Sequence, residues 1–219
     1  MEELATATPV RVLIVEDHEV LATSLAMVLD AEPDLHTVGR VGTLAEARRA
    51  VATTAPDVVI LDHNLPDGEG VSTIEDLRAL HEGAAFVVLT ASTSDAVLVA
   101  AVQAGASGFV SKTRGVAEVT TAVRAAAAGE AVISPEMLMR LLPRFREGAT
   151  EPSVKLTERE QEVLTLLAEG LSNAAIGERL FVSVHTVRNH VANLSAKLGA
   201  HSKLEALSIA VRDGLLPDV

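Results

Sequence analysis

Five short β-rich runs recur every twenty-odd residues through the first 130 positions, at 10–15 (VRVLIV), 35–41, 57–62, 85–90 (AFVVLT) and 108–111 (GFVS). Helix-like segments lie between and after them, at 19–31, 44–54, 71–80, 94–104 and 116–128. Parallel neighbours need a crossover of a dozen or more residues, so this alternation implies βαβ units and a parallel sheet covered on both faces. It also predicts where function lies, because ligands of such sheets bind at the carboxyl ends of the strands. The third run is apolar at successive positions, as a strand buried on both faces should be. Yet it ends on a carboxylate, Asp62, and breaks at once into the Pro/Gly-rich loop HNLPDGEG.

The pattern changes after Gly129. Ser134-Pro135-Glu136 reads as an N-cap with Pro at the first helical position, opening a short helix through Leu142. PRFREGATEPSV, at 143–154, reads as a linker. The rest is helical. Thr157 and Glu160 form a capping box, and that helix runs to Gly170. Ser172 caps a helix over 173–180, and the three-residue turn 181–183 leads into a helix over 184–198 that Gly199 ends. Ser202 and Glu205 form a second capping box, opening a last helix to Arg212. Two helices across a tight turn within a four-helix unit is helix-turn-helix architecture. The expected fold is therefore α/β followed by all-α: a flexible N-terminus at 1–8, a five-stranded parallel doubly wound domain at 9–131, a helix and linker at 132–154, and a helix-turn-helix domain at 155–219.

Composition narrows the chemistry. With 219 residues, 48% of them hydrophobic, the chain can bury a sizeable core. It has no cysteine, which excludes disulfides, thiolate zinc sites and Cys catalysis. No apolar run reaches the roughly 18–20 residues of a membrane span, and the acidic start MEELATATPV is not a signal peptide; a cytoplasmic location with no membrane partner is expected. The formal net charge of −12 argues against a polyanionic partner, but it is uneven. Residues 1–150 carry a net of −10 and residues 151–219 a net of −2, so a local basic face remains open to the second part.

The strand ends carry the chemistry. The first run exits into Glu16-Asp17, the third ends on Asp62, the fourth on Thr90, and the fifth leads into Ser111-Lys112. In a parallel sheet these groups crowd one edge. Three carboxylates there repel one another, so positive charge belongs among them. Lys112 supplies part, and a hard divalent ion with oxygen ligands, Mg²⁺, the rest. A carboxylate facing a hydroxyl and an ammonium is arranged to attack phosphorus, with Asp62 as nucleophile and Thr90 and Lys112 around the transferring oxygens. His63 is not expected to ligate metal through its ring.

These residues resemble the receiver domains of two-component response regulators over about residues 9–131. The resemblance rests on Glu16-Asp17, the frame Asp62, Pro66, Gly70, then Thr90-Ala91 and Lys112. It implies that Asp62 is the phosphoacceptor, that Asp17, Asp62 and the Asn64 carbonyl ligate Mg²⁺ with Glu16 acting through water, and that Thr90 and Phe109 are the switch pair. Thr113 stands where many relatives have a proline in a cis bond, which leaves the peptide geometry after Lys112 open.

The tail resembles the LuxR-type helix-turn-helix of NarL-like response regulators. The matching residues are LTERE at 156–160, Gly170, Ser172-Asn173, Ile176, Leu180, Ser183, Thr186-Val187-Arg188, His190 and Lys197-Leu198-Gly199. By that resemblance Arg188, Asn189 and Ala192 face base edges or the groove, while Ser183, Thr186, His190, Lys197 and Lys203 lie near phosphates. Arg suits guanine and Asn adenine by bidentate contact. Val187, Val191 and Leu194 follow helical spacing and belong to the core.

Together the resemblances imply a cytoplasmic transcriptional regulator rather than an enzyme. Its expected partners are a sensor histidine kinase, double-stranded promoter DNA, RNA polymerase, and a second copy paired through the last helix, 202–212. The rival is a haloacid-dehalogenase-like phosphatase, which needs a second Asp where Asn64 stands. A second rival keeps DNA binding but gates the first domain by a ligand or partner.

Overall fold

The computed structural model describes residues 8–91, 94–112, 116–146 and 154–216, apart from the side chains at 116 and 117. Nearly all of the expected arm at 1–8, residues 147–153 of the linker and the Lys112–Thr113 peptide lie outside them. The chain forms two compact units, one of residues 1–91 with 110–127, the other of residues 92–109 with 128–219.

A five-stranded sheet runs in the order β2-β1-β3-β6-β7. Its strands are β1 (Val10–Val15), β2 (Leu35–Val41), β3 (Val58–Asp62), β6 (Ala85–Thr90) and β7 (Gly108–Ser111), while β4 (Asn64–Leu65) and β5 (Gly68–Glu69) form a separate two-stranded hairpin. β1 pairs parallel with β2 and with β3, and β3 parallel with β6. Val12 to Val15 and Val58 to Leu61 have no exposed surface, as expected of central strands covered on both faces. Helices α1 (Glu19–Asp30) and α5 (Val116–Ala127) pack together, as do α2 (Leu44–Thr54) and α3 (Ile74–Leu80). The strand order reverses between β1 and β3, which places the topological switch point beside Asp62.

Two segments differ from expectation. The helix expected at 71–80 begins as a 3-10 turn, Gly70–Thr73, and becomes α-helical only from Ile74. The Gly70 amide donates to the His63 carbonyl at 2.8 Å and the Thr73 hydroxyl to the Gly70 carbonyl, so the first turn is held against the end of β3. The loop between is also tethered. Asp67 accepts from the Leu44 and Ala45 amides at 2.8 and 3.0 Å, at the head of α2, and the Leu44 bond leads in holding its pKa low.

In the second unit, α4 (Asp95–Gln103) packs with α6 (Pro135–Phe145) and α10 (Lys203–Arg212). The expected linker began at Pro143; instead α6 continues through it to Phe145. Proline removes one helical hydrogen bond, but Leu141, Leu142 and Phe145 are fully buried. Burying side chains of this size contributes about 1.5–3 kcal/mol each, enough to outweigh the lost bond.

The helix-turn-helix consists of α7 (Glu158–Ala168), α8 (Asn173–Leu180) and α9 (Val184–Leu198), followed by α10. The Thr157–Glu160 capping box forms as expected. Glu160 also accepts from Lys197 at 2.6 Å, and that hydrogen bond, the largest cause, lowers its pKa. A carboxyl with a lowered folded pKa adds stability above its unfolded value, near 4.5, and loses it as pH falls through the folded one. Glu160→Gln is therefore expected to cost about 1 kcal/mol at pH 7. It should also flatten the loss of thermal stability below pH 4.5, as read by calorimetry.

The second capping box is only half made. Ser202 Oγ accepts from the Glu205 amide, but the Glu205 carboxylate takes the His201 amide at 2.7 Å rather than that of Ser202. Ser202 Oγ in turn donates to the Ala106 carbonyl at 2.9 Å.

Candidate functional site

Sheet register assembles the site. The last paired residues of β1 and β3 are Val15 and Leu61, so Glu16 and Asp62 leave the sheet side by side. Asp62 pairs with Leu89 on β6, which puts Thr90 one residue beyond it. The Lys112 amide donates to the Thr90 carbonyl at 3.0 Å. All four residues thus reach one edge.

The Lys112 ammonium lies 2.6 Å from Asp62 Oδ2 and 2.7 Å from Glu16 Oε2, and the Asn64 amide donates to Asp62 Oδ1 at 3.1 Å. Glu16, Asp62 and Thr90 are buried. Burial pushes the Asp62 carboxyl above its ordinary pKa; hydrogen bonds from Lys112 and Asn64 oppose this, and the charge of Glu16 adds to it. Burial pulls the Lys112 ammonium down, but its hydrogen bonds to Asp62 and Glu16 prevail and leave it raised. The two directions differ in cause: burial dominates at Asp62, and the paired carboxylates dominate at Lys112.

Asp17 and His18 complete the cluster. One donor atom each from Glu16, Asp17, His18 and Asp62 lies within 4.8 Å of the others. Like charges 4 Å apart repel by about 4 kcal/mol at a protein-like dielectric, so Lys112 alone leaves the cluster short of positive charge. Carboxylate oxygens fit a hard divalent cation. His18 was absent from the expected set. Its Nδ1 lies 2.9 Å from Glu16 Oε1 and 2.8 Å from Asp17 Oδ1, and the Glu16 hydrogen bond leads in raising its pKa. The one signal for it in the sequence is its place directly after the acidic pair. A cleft of about 740 Å³ opens beside Glu16 and Asp17, with Arg40 and Arg49 in its lining.

His63 is buried and stands outside this cluster, and among the described residues its Nδ1 has no hydrogen-bond partner. Phe109 is also buried, and its amide donates to the Val132 carbonyl at 2.8 Å. A Cβ built on Gly70 would overlap the Asp62 carbonyl oxygen. Gly70→Ala is accordingly expected to destabilise the protein by about 1–3 kcal/mol in urea unfolding, as overpacking does.

On α9, Val187, Val191 and Leu194 are buried, while Arg188, Asn189 and Ala192 are exposed on the opposite side. Ser183 caps the helix by accepting from the Thr186 amide, and its hydroxyl meets that of Thr186 at 2.8 Å. His190 is half-buried. Lys197 is held by Glu160, and the Lys203 side chain is only 7% exposed, with its ammonium 2.8 Å from Glu130. These two cations are engaged within their own unit, a placement that helical spacing could not reveal.

A buried aspartate at the switch point of a parallel sheet, flanked by acids and a lysine and joined in one chain to a helix-turn-helix, is the architecture of a response regulator. The chain belongs to the LuxR-type two-component response regulators. Residues 12–124 match the response regulator receiver domain family, and residues 154–210 match the luxR family of bacterial regulatory proteins. It is 38% identical to the DNA-binding transcriptional activator DevR/DosR of Mycobacterium tuberculosis, covering 92% of this chain and 94% of that one. It is 32% identical to the transcriptional regulatory protein LiaR of Bacillus subtilis, over 94% and 99% of the two chains. Among solved structures, the response regulator ChrA of a heme-sensing two-component system superposes with a TM-score of 0.50 at 29% identity, over 96% and 100% of the chains. RcsB of Salmonella enterica serovar Typhimurium, solved on promoter DNA, shares the fold with a TM-score of 0.57 at 24% identity, over 94% and 99%. The relatives are transcriptional regulators, which sets aside the phosphatase reading. No helix among the described residues is long and apolar enough to cross a membrane.

Proposed function

We propose that this chain acts in the cytoplasm, where Asp62 takes a phosphoryl group from the phosphohistidine of a sensor histidine kinase, and that this controls dimerisation and promoter binding by the helix-turn-helix. The observation that carries the proposal is the buried Asp62 carboxylate 2.6 Å from Lys112. Transfer needs that carboxyl ionised, although burial favours its neutral form. Lys112 supplies the charge that holds it ionised. One Asp62 oxygen forms the new P–O bond as the P–N bond to histidine breaks and the imidazole leaves with the electron pair. Lys112 and Thr90 stand at the same edge to meet the equatorial oxygens. Glu16, Asp17, Asp62 and the Asn64 carbonyl would hold Mg²⁺, which when bound neutralises charge developing on those oxygens.

In this reading the exposed side chains of Arg188 and Asn189 read bases, and Ser183, Thr186, His190, Ala192, Lys197 and Lys203 lie along the groove or backbone. Thr90 and Phe109 relay phosphorylation, and α10 pairs two copies. Leu204, Leu207 and Val211 of α10 are buried within its own unit, so pairing through it requires their release. RNA polymerase is a further partner in this reading. Arg188→Ala should weaken binding to the preferred DNA site by about 1–3 kcal/mol and relax specificity at one base, measured by fluorescence anisotropy on point-mutated sites. Genome-wide mapping of bound sites tests the whole. Wild type should occupy a set of promoters that the Asp62→Asn variant vacates; equal occupancy by both would contradict control through Asp62.

A further inference from the structure

We infer that His18 is a ring-nitrogen ligand of the cation held by Glu16, Asp17 and Asp62, and that it tunes the site toward first-row divalent transition ions over Mg²⁺. This rests on the cation site of the reading above and names its class of ion. His18 Nδ1 stands between two carboxylate oxygens, 2.9 Å from Glu16 Oε1 and 2.8 Å from Asp17 Oδ1. Neighbouring ligand atoms around an octahedral ion with bonds near 2.1 Å lie about 3.0 Å apart. The ring nitrogen therefore already has ligand spacing from two members of the acidic set. Among the described residues, Glu16, Asp17, His18 and Asp62 form the only group of three or more such donors close enough to share an ion. Lys112 does not compete for the same atoms, because it meets Glu16 through Oε2 and Asp62 through Oδ2.

A role in holding the fold does not account for this placement. His18 is the N-cap residue of α1, a position that favours Ser, Thr, Asp or Asn, and its side chain makes no capping hydrogen bond. Its amide donates instead to Glu16 Oε1 at 3.2 Å, the oxygen that also faces its ring, so the side chain is turned back over the acids. The side chain is 72% exposed, and ion pairs at such positions add little stability. The consequence lies in the donor type. Glu16, Asp17, Asp62 and the Asn64 carbonyl offer oxygen alone, which suits Mg²⁺. An imidazole nitrogen suits iron, nickel and zinc, and the affinity of mixed nitrogen and oxygen sites rises from Mn²⁺ through Co²⁺ to Ni²⁺. One ring among the carboxylates moves the site along that series, while the oxygens that remain still hold Mg²⁺.

The test titrates the full chain, unphosphorylated, with Mg²⁺, Mn²⁺ and Ni²⁺ separately by calorimetry. Wild type is compared with His18→Ala, His18→Asn and Asp17→Asn, thermal midpoints showing every variant folded. Asparagine puts an oxygen about where Nδ1 stands and so exchanges the donor type alone. Both His18 variants should lose about tenfold or more in Ni²⁺ affinity, the least that groups supporting a metal ligand carry. Their Mg²⁺ affinity should change by less than about twofold, since the oxygen donors are kept. Electron spin-echo spectra of the Mn²⁺-loaded chain should show a directly bound nitrogen in wild type and none in either variant. Equal effects on Mg²⁺ and Ni²⁺ would overturn the inference, as would undiminished Ni²⁺ affinity or a wild-type spectrum without bound nitrogen. Asp17→Asn separates the two levels. If it weakens Mg²⁺ and Mn²⁺ binding while the His18 variants change nothing, His18 is no ligand and the cation site stands; if no variant responds, both fall.

Discussion

Asp62→Asn, incubated with acetyl phosphate and Mg²⁺, is expected to take up no phosphoryl group and yet to unfold no more readily than wild type. Loss of uptake follows because an amide cannot act as the attacking oxygen. Retention of stability follows from the environment of the carboxyl. Its folded pKa is raised above the ordinary 3.8, with burial the largest cause. Such a group contributes stability below its unfolded pKa and loses that contribution as pH rises through the folded value. At pH 7 the ionised carboxylate, crowded by Glu16, is thus a burden on the fold, whereas asparagine is neutral at every pH and still offers Lys112 an acceptor. Urea midpoints at pH 4 and pH 7 check this. The difference between variant and wild type should move in favour of Asn at the higher pH. A variant markedly less stable at pH 7 would show that Asp62 is held by its partners more than it is strained by burial.

Lys112→Ala should have the opposite profile. It leaves Glu16 and Asp62 buried together with no ammonium between them, and breaking a buried pair from one side costs about 3–5 kcal/mol. Lys112 is 17% exposed, so the lower end of that range is expected. The remedy should be a divalent cation. At a hundredfold excess over its dissociation constant a ligand restores about 2.7 kcal/mol, so Mg²⁺ should recover most of the loss while stabilising wild type less. Urea unfolding with and without Mg²⁺ reads both effects. A variant as stable as wild type in chelator would mean that the acids do not depend on Lys112 for their charge balance.

These residues also show what a sequence discloses. The sheet and the edge holding Glu16, Asp62, Thr90 and Lys112 were legible because strand periodicity and the parallel connection rule act locally and leave few topologies. The α9 core of Val187, Val191 and Leu194 was legible for the same reason, through a period of 3.6. What escaped depends on contacts between distant positions. Asp67 caps α2 from 23 residues away, and Glu130 reaches Lys203 across 73. No local pattern marks either. The course of α6 through Pro143 escaped because burial of Leu142 and Phe145 outweighed a proline that propensity alone reads as a stop. His18 was overlooked for a different reason: the acidic pair before it already accounted for the expected chemistry.

The most direct test is to incubate the wild-type chain with acetyl phosphate and Mg²⁺, reduce it with borohydride, and locate the modified residue by peptide mass spectrometry. An aspartyl phosphate is converted by this treatment to homoserine, which should appear at position 62 and vanish when the cation is chelated. Homoserine at another aspartate, or modification at 62 that is indifferent to chelation, would contradict the assignment of this cluster as a cation-dependent phosphoacceptor.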